Sequence, residues 1–177
     1  MINQVTIHID DNSKQLLKKQ IGKKLIRIGY VLKKDFSLAT ALIFENCTLK
    51  ICNFPISAGS YNEEYPHISV KYITISNDIA YGNEKYEYFD VDMIVTSCKI
   101  MSDHIAWPDN DSLDIENAIV LESDKKKSII LYAMDSGAGT IIIFDNKEDF
   151  EKKIPIKEMW ADKNDTNIVC KRSFKNI

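Results

Sequence analysis

Apolar residues recur at every second position over much of this chain, the period that a β-strand imposes because successive side chains point to opposite faces. Over residues 24–33, Ile26, Ile28, Tyr30 and Leu32 alternate with Leu25, Arg27, Gly29 and Val31. The stretches 41–45 and 48–53 flank Asn46-Cys47 and predict a hairpin. Residues 68–75 alternate and are rich in Ile, Val, Tyr and Thr, and 86–101 form one long alternating run. A second hairpin is predicted from 117–123 and 128–134 around Asp124-Lys125-Lys126-Lys127, followed by a short apolar strand over 140–145. Residues 156–160 and 168–171 are expected to add edge strands.

Helical signals are few. Asp10-Asp11-Asn12-Ser13 supplies an N-cap for a short amphipathic helix over 14–21, with Leu16, Leu17 and Ile21 at helical spacing and Gly22 to end it. Residues 147–153 suit one or two helical turns before Pro155. The expected fold is therefore α+β and mainly β: an antiparallel β-sandwich or strongly curved sheet with a short N-terminal helix, in a single domain over 1–177. Residues 41–59 and 118–139 share a plan of strand, Glu, polar turn, strand and a loop ending in Ala-Gly. That plan suits two related hairpin halves, and equally any two β-hairpins.

Composition narrows the class. No apolar run approaches the ~20 residues of a membrane helix. The N-terminal Met1-Ile2-Asn3-Gln4-Val5 lacks the basic-then-apolar pattern of an export signal. A cytoplasmic protein without membrane partners is the expectation. Cys47, Cys52, Cys98 and Cys170 form no C-x-x-C pair and read as reduced, packed thiols. Charge is segregated along the chain. Residues 1–40 hold eight basic and three acidic side chains, a net of +5; residues 41–124 hold four against fifteen, a net of −11; residues 125–177 hold eleven against eight, a net of +3. An acidic centre argues against nucleic acid docking there and favours a basic protein partner.

Catalytic and metal patterns fail on their own spacing. Asp109-x-Asp111 opens like a calcium loop, but the next ligand position is Leu113, the glycine position is Asp114 and the closing glutamate position is Val120. Trp107-Pro108-Asp109 resembles the acid loop of tyrosine phosphatases, yet no cysteine has an arginine at the spacing that chemistry needs. The glycine-rich loop 135–139 lacks the Lys-Ser/Thr of a phosphate loop. His8, His67 and His104 share no ligand spacing, although His8 and Asp10 could face one way on a strand. No catalytic set, metal site or cofactor is expected.

Two stretches combine aromatic rings with carboxylates, the composition of binding hot spots with a polar rim. One is Trp107 with Asp109, Asp111, Asp114 and Glu116, held by a proline turn. The other places Tyr86, Tyr88, Asp90 and Asp92 on one strand face, with Phe89, Val91, Met93 and Val95 toward the core. In this whole-chain character, an acidic block from Glu45 to Asp124 on a strand-rich plan, the chain resembles bacterial toxin-immunity proteins, including those of contact-dependent growth inhibition systems. The resemblance implies a non-enzymatic protein that binds and blocks a cognate toxin, the C-terminal domain of a larger secreted protein and often a basic nuclease. A β-barrel-like domain for a small molecule, an enzyme acting on one, or a subunit self-associating through strand edges are the rival expectations.

Overall fold

The computed structural model describes residues 3–33, 36–60, 62–74, 79–81, 84–134, 139–160 and 167–177, with side chains described outside 32–39 and 79–85. The chain opens with β1 (Gln4–Ile7), α1 (Asp11–Lys18), β2 (Lys24–Lys33), β3 (Phe36–Phe44) and β4 (Thr48–Asn53). Shorter strands follow: β5 (Ile56–Ala58), β6 (Glu63–Tyr65), β7 (Ile68–Ile73), β8 (Ile79–Tyr81) and β9 (Glu84–Lys85). Then come β10 (Glu87–Ile94), β11 (Ser97–Ala106), β12 (Ser112–Glu122), β13 (Ser128–Ala133) and β14 (Ile141–Phe144). The chain closes with α2 (Lys147–Lys153), α3 (Ile156–Trp160) and β15 (Val169–Asn176).

Among the described residues, eleven strands form one continuous sheet, ordered β10-β2-β3-β14-β13-β12-β11-β15, with β4 and β7 branching from β3 and β1 beside β12. The described pairings are antiparallel except β1 with β12, which is parallel. Two short ribbons, β5-β6 and β8-β9, stand apart from it. The sheet doubles back where Ile141 of β14 pairs with Ser37 of β3. Its two halves then enclose a shared core. Leu25, Ile28, Leu42, Leu49, Ile51 and Val91 of one half meet Cys98, Ile100, Ile119, Leu121, Ile129 and Leu131 of the other. The opposite face of β11–β14 is also covered. There Met101, Val120, Ile130, Tyr132 and Phe144 pack against Phe150 of α2 and Ile154 beyond it. A third cluster, with Val5, Ile7, Tyr65, Ile105, Leu113 and Ile115, closes the end near β1. The layout is sandwich-like, as the alternation predicts. No described helix is long and apolar enough to cross a membrane.

α1 forms where the cap signal lies but earlier than the expected 14–21. The Asp10 carboxylate accepts the Ser13 backbone N–H at 2.8 Å and the Ser13 hydroxyl at 2.7 Å, so the helix begins at Asp11. Ser13 Oγ in turn accepts the Val70 N–H at 2.8 Å, which docks the helix on β7, and Leu17 is fully buried beneath it. Burying that one side chain contributes roughly 2 kcal/mol. Burial disfavours the Asp10 carboxylate, but the Ser13 and Asn12 hydrogen bonds outweigh it and hold its pKa below 3.8. A folded-state pKa below the unfolded one adds stability above the unfolded value, and that stability is lost as pH falls through the folded value. Asp10→Ala is expected to cost about 1 kcal/mol at neutral pH. In acid titrations followed by circular dichroism, the charge-dependent part of this cost should fade only below pH 3.8.

Several local expectations change. The run 86–101 is two strands, because Val95 and Thr96 turn the chain from β10 to β11, with Gly22 N–H donating to Val95 O and Thr96 N–H to Glu122 O. Residues 156–160 are helical as α3, not an edge strand. In β2 the even alternation breaks at a register shift between Leu25 and Arg27, which leaves Ile26 40% exposed while Leu25 and Ile28 are both fully buried. The predicted edge strand at 168–171 is present and longer, as β15. Residue 75 and residues 135–138 of the glycine-rich loop lie outside the described residues. Both predicted hairpins, β3-β4 and β12-β13, are antiparallel, and Gly59 and Gly139 after them both adopt positive φ.

Candidate functional site

The stretch 104–117 is chiefly the end of a hairpin, not a loop: β11 runs to Ala106 and β12 starts at Ser112. Its turn is closed by Trp107 N–H to Asp111 O at 2.9 Å and Asn110 N–H to Trp107 O at 3.1 Å, with Asn110 at φ 71°. Trp107 is half-buried against the third core cluster, beside Ile105 and Leu113. Further along β12, the register slips by one residue between Met101 and Ser102, so that Met101 faces Ala118 while Ser102 faces Glu116. Asn117 is the extra residue of this bulge. The slip changes which parity points inward. Ile119 and Leu121 lie on the same face as Cys98 and Ile100 in the core, whereas Asp114 and Glu116 continue that face as a polar shelf beyond the opposing half of the sheet.

The four carboxylates of this hairpin have different employment. Asp111 accepts the Asn3 N–H at 2.7 Å, and Glu116 accepts the Ile9 N–H at 2.8 Å. These two bonds pin both ends of β1, whose parallel register on β12 runs from Gln4 opposite Ser112 to Ile7 opposite Ile115. Glu116 also pairs with Lys14 of α1 at 2.7 Å. Asp109 is exposed and accepts only a long bond at 3.3 Å from the Asp111 N–H among the bonds described. Asp114 is about half exposed and accepts from His104 Nδ1 at 2.8 Å. Asp111→Ala is expected to cost about 1–2 kcal/mol by orphaning the Asn3 N–H. Hydrogen exchange should show the loss concentrated in residues 3–7, and unchanged protection there would contradict this role for Asp111.

The shelf gathers residues that sequence spacing does not connect. β1 brings Thr6 and His8, β11 brings Ser102 and His104, β12 brings Asp114 and Glu116, and β15 lays Lys171 opposite His104. Thr6, His8, Ser102, Asp114, Ile115 and Glu116 line a shallow hollow of about 300 Å³. His8 Nδ1 stands 3.7 Å from Glu116 Oε1, so His8 faces Glu116 rather than Asp10, which is occupied in capping α1. His8 and His104 thus flank one carboxylate pair. His67 does not line this hollow: its backbone N–H is bound to Asn53 Oδ1, and it lies within electrostatic range of Asp10 at the start of α1. The signal for this site was present as two polar i, i+2 pairs, Ser102-x-His104 and Asp114-x-Glu116, but only the strand register shows that they face each other.

The second predicted stretch lies on β10 and the residue before it, with five strands between β10 and β11 along the sheet path. Its alternation is as expected, with Val91, Met93 and Val95 buried and Tyr88, Asp90 and Asp92 exposed. The carboxylates meet basic residues of β2. Asp92, at φ 50° on a bulge, pairs with Lys24 at 2.6 Å, and Asp90 is directly opposite Arg27. The Lys24 bond and charge hold the Asp92 carboxyl below its usual range. The Arg27 guanidinium sits 4.8 Å from the centre of the Tyr88 ring. Tyr88 and Tyr86 lie over Gly29, where a Cβ would stand 2.9 Å from Tyr88 Cε1. Tyr86 packs on Val31, and burial, the nearby Cys52 and Tyr88 push its hydroxyl up to about 12. This stretch and the hairpin end are therefore two separate surfaces, and the basic N-terminal block neutralises much of the first.

Among the described residues, no group of three His, Cys, Asp or Glu side chains is placed to hold a metal ion. Burial raises all four cysteine thiols, and Cys98, with Glu122 adding to the effect, reaches about 12. Such thiols are poor nucleophiles. The sequence did not reveal a fully enclosed carboxylate. Asp103 has no exposure and receives Arg172 Nε at 2.7 Å, Arg172 Nη2 at 2.9 Å, Trp160 Nε1 at 3.0 Å and Asn117 Nδ2 at 3.2 Å. It underlies the shelf from the opposite face of β11 and ties β12, α3 and β15 to it. No protein-family model, curated protein or solved structure matches this chain.

Proposed function

We propose that this chain is a non-enzymatic binding protein that blocks a bacterial toxin in the cytoplasm, and that the hairpin end of β11 and β12 is the surface it uses. The observation that carries this reading is the split among the four carboxylates. Asp111 and Glu116 hold β1 in place, while Asp114 stays about half exposed at the rim of a hollow of about 300 Å³ and Asp109 is exposed in the turn that carries the half-buried Trp107. Such a hollow suits an inserted Lys or Arg side chain, with Asp114 as its counter-charge and Thr6 and Ser102 as further acceptors. A basic nuclease domain carries such side chains, and exposed carboxylates at the rim would speed encounter. On β10, Tyr88 and Asp90 form a second, subsidiary contact surface in this reading, and no cofactor takes part.

The test is co-expression with the toxic C-terminal domain of a large secreted protein encoded beside this gene. The wild-type chain should restore growth. The Asp109→Lys/Asp114→Lys variant should fold with an unchanged melting temperature, associate about tenfold more slowly or worse, and fail to protect. Failure of the wild type to protect, or the absence of such a neighbouring toxin, would sink the reading.

One observation favours a second reading. His104 is oriented by Asp114 at 2.8 Å and shares the shelf with His8 and Ser102, an arrangement that could serve a small-molecule site or an enzyme using imidazole as acid or base. His104→Ala separates the two. It should leave toxin protection within about threefold of wild type but abolish any turnover of a small molecule.

A further inference from the structure

Three edges of the sheet are too short or too obstructed to take a further strand. β1 has four residues. β7 gives its Val70 N–H to Ser13 Oγ of α1 at 2.8 Å. β10 is broken by a register shift between Asp90 and Met93, with Asp92 at φ 50° and the Val91 carbonyl taken by the Lys127 ammonium. β15 carries none of these devices. Its eight residues, Val169–Asn176, include no proline, glycine or positive φ, and all of them pair with β11 without a register shift. Ile177 N–H donates to Cys98 O at 3.2 Å, which sets the phase of the ladder. Alternate residues of an antiparallel strand turn their N–H and C=O to opposite sides. Those of Val169, Lys171, Ser173 and Lys175 therefore face β11, and those of Cys170, Arg172, Phe174 and Asn176 face away from it. Among the described residues no strand lies on that outer side and no hydrogen bond reaches these main-chain groups.

The side chains say which strand would fit there. On one face of β15, Val169, Lys171, Ser173 and Lys175 are exposed, and neither lysine forms an ion pair with a described residue. On the other face Cys170 and Phe174 are half-buried, and Arg172 is committed to Asp103 and Ile154 O. Two copies joined through this edge would set Lys171, Arg172 and Lys175 against their own like, which disfavours a dimer. A strand with carboxylates at every second position would instead lie beside Lys171 and Lys175. We infer that the outer edge of β15 receives an extended, acidic segment of a partner protein as a further strand of the sheet. The main-chain groups of Cys170, Arg172, Phe174 and Asn176 supply the attachment, and the two lysines supply the choice of partner. This partner is opposite in charge to a basic toxin, and the site does not depend on the toxin-binding reading.

The test is a titration of the isotopically labelled full chain with a synthetic peptide of about seven residues that alternates glutamate and threonine, read from backbone amide shifts. Saturating shifts are expected, half-complete near about 1 mM. They should alternate along the strand: large at Cys170, Arg172, Phe174 and Asn176, whose N–H groups face outward, and small at Lys171, Ser173 and Lys175. Hydrogen exchange of the same four amides should slow. Lys171→Glu/Lys175→Glu changes two exposed side chains, so its melting temperature should hold while affinity falls about tenfold or more. The same peptide methylated on alternate backbone nitrogens keeps every charge and loses the ladder, and it should not bind. Equal binding of the methylated peptide, shifts spread evenly over residues 169–176, unchanged affinity in Lys171→Glu/Lys175→Glu, or a dimer of the chain alone that the peptide dissociates would each overturn the inference.

Discussion

Replacing Asp103 with alanine is expected to destabilise the fold by about 3–5 kcal/mol, the usual cost of leaving one partner of a buried ion pair uncompensated. The Arg172 side chain is only 11% exposed, and its Nη1 is also committed to Ile154 O at 2.7 Å. Without Asp103 its charge would remain buried beside the orphaned Trp160 Nε1–H and the Asn117 amide. Urea unfolding should register the loss as a lower midpoint with little change in slope. The double replacement Asp103→Leu/Arg172→Met should recover most of it, because removing both charges together eliminates the uncompensated desolvation. If the double variant is no more stable than Asp103→Ala, packing rather than charge pairing governs this node.

Phe150→Ala should cost about as much, roughly 3–5 kcal/mol for a large aromatic removed from a closed core. Phe150 has no exposure and is the side chain of α2 that enters the second core cluster, with ring centroids 5.7 Å from Tyr132 and 5.2 Å from Phe144. Its ring also lies 5.0 Å from the Arg172 guanidinium. Thermal unfolding measures the total. Native-state hydrogen exchange should place the weakest protection in α2, whose attachment to the sheet this ring provides. A loss under about 1 kcal/mol would mean that the helices hold the sheet by other contacts. Because Phe150 touches Arg172, the Asp103 and Phe150 effects should not add when combined.

How far the sequence could be read varies by element. The β3-β4 and β12-β13 hairpins, the apolar β14 and the capped α1 are legible because each depends on contacts within a few residues: a period of two, a polar turn, a cap three residues from its acceptor. α3 is not legible, because Ile156 and Trp160 look strand-like in isolation, while helix formation there follows from packing beneath β15 and from the Trp160 bond to Asp103. The start of β12 at Ser112, ahead of the expected 117, is hidden in the sequence for a related reason. The bulge at Asn117 reverses the parity of buried positions, so no single alternation runs through the strand.

The candidate site was legible as a list of acidic and aromatic residues but not in its division of labour. Asp109, Asp111, Asp114 and Glu116 look alike along the chain. Only the parallel seat of β1 on β12 decides that two of them bind backbone N–H groups and two remain at the surface. The sequence by itself determined a mainly β chain with a capped N-terminal helix, its local turns, and the segregation of charge into a basic start, an acidic centre and a basic end. Tertiary structure alone decided where those charges go. It laid basic β2 along acidic β10 and basic β15 along β11, so that Asp92 meets Lys24 and Asp103 meets Arg172, 69 residues away. The reason is physical: periodicity and capping are short-range, whereas the partner of a charge is set by strand order and register, which only the closed core selects.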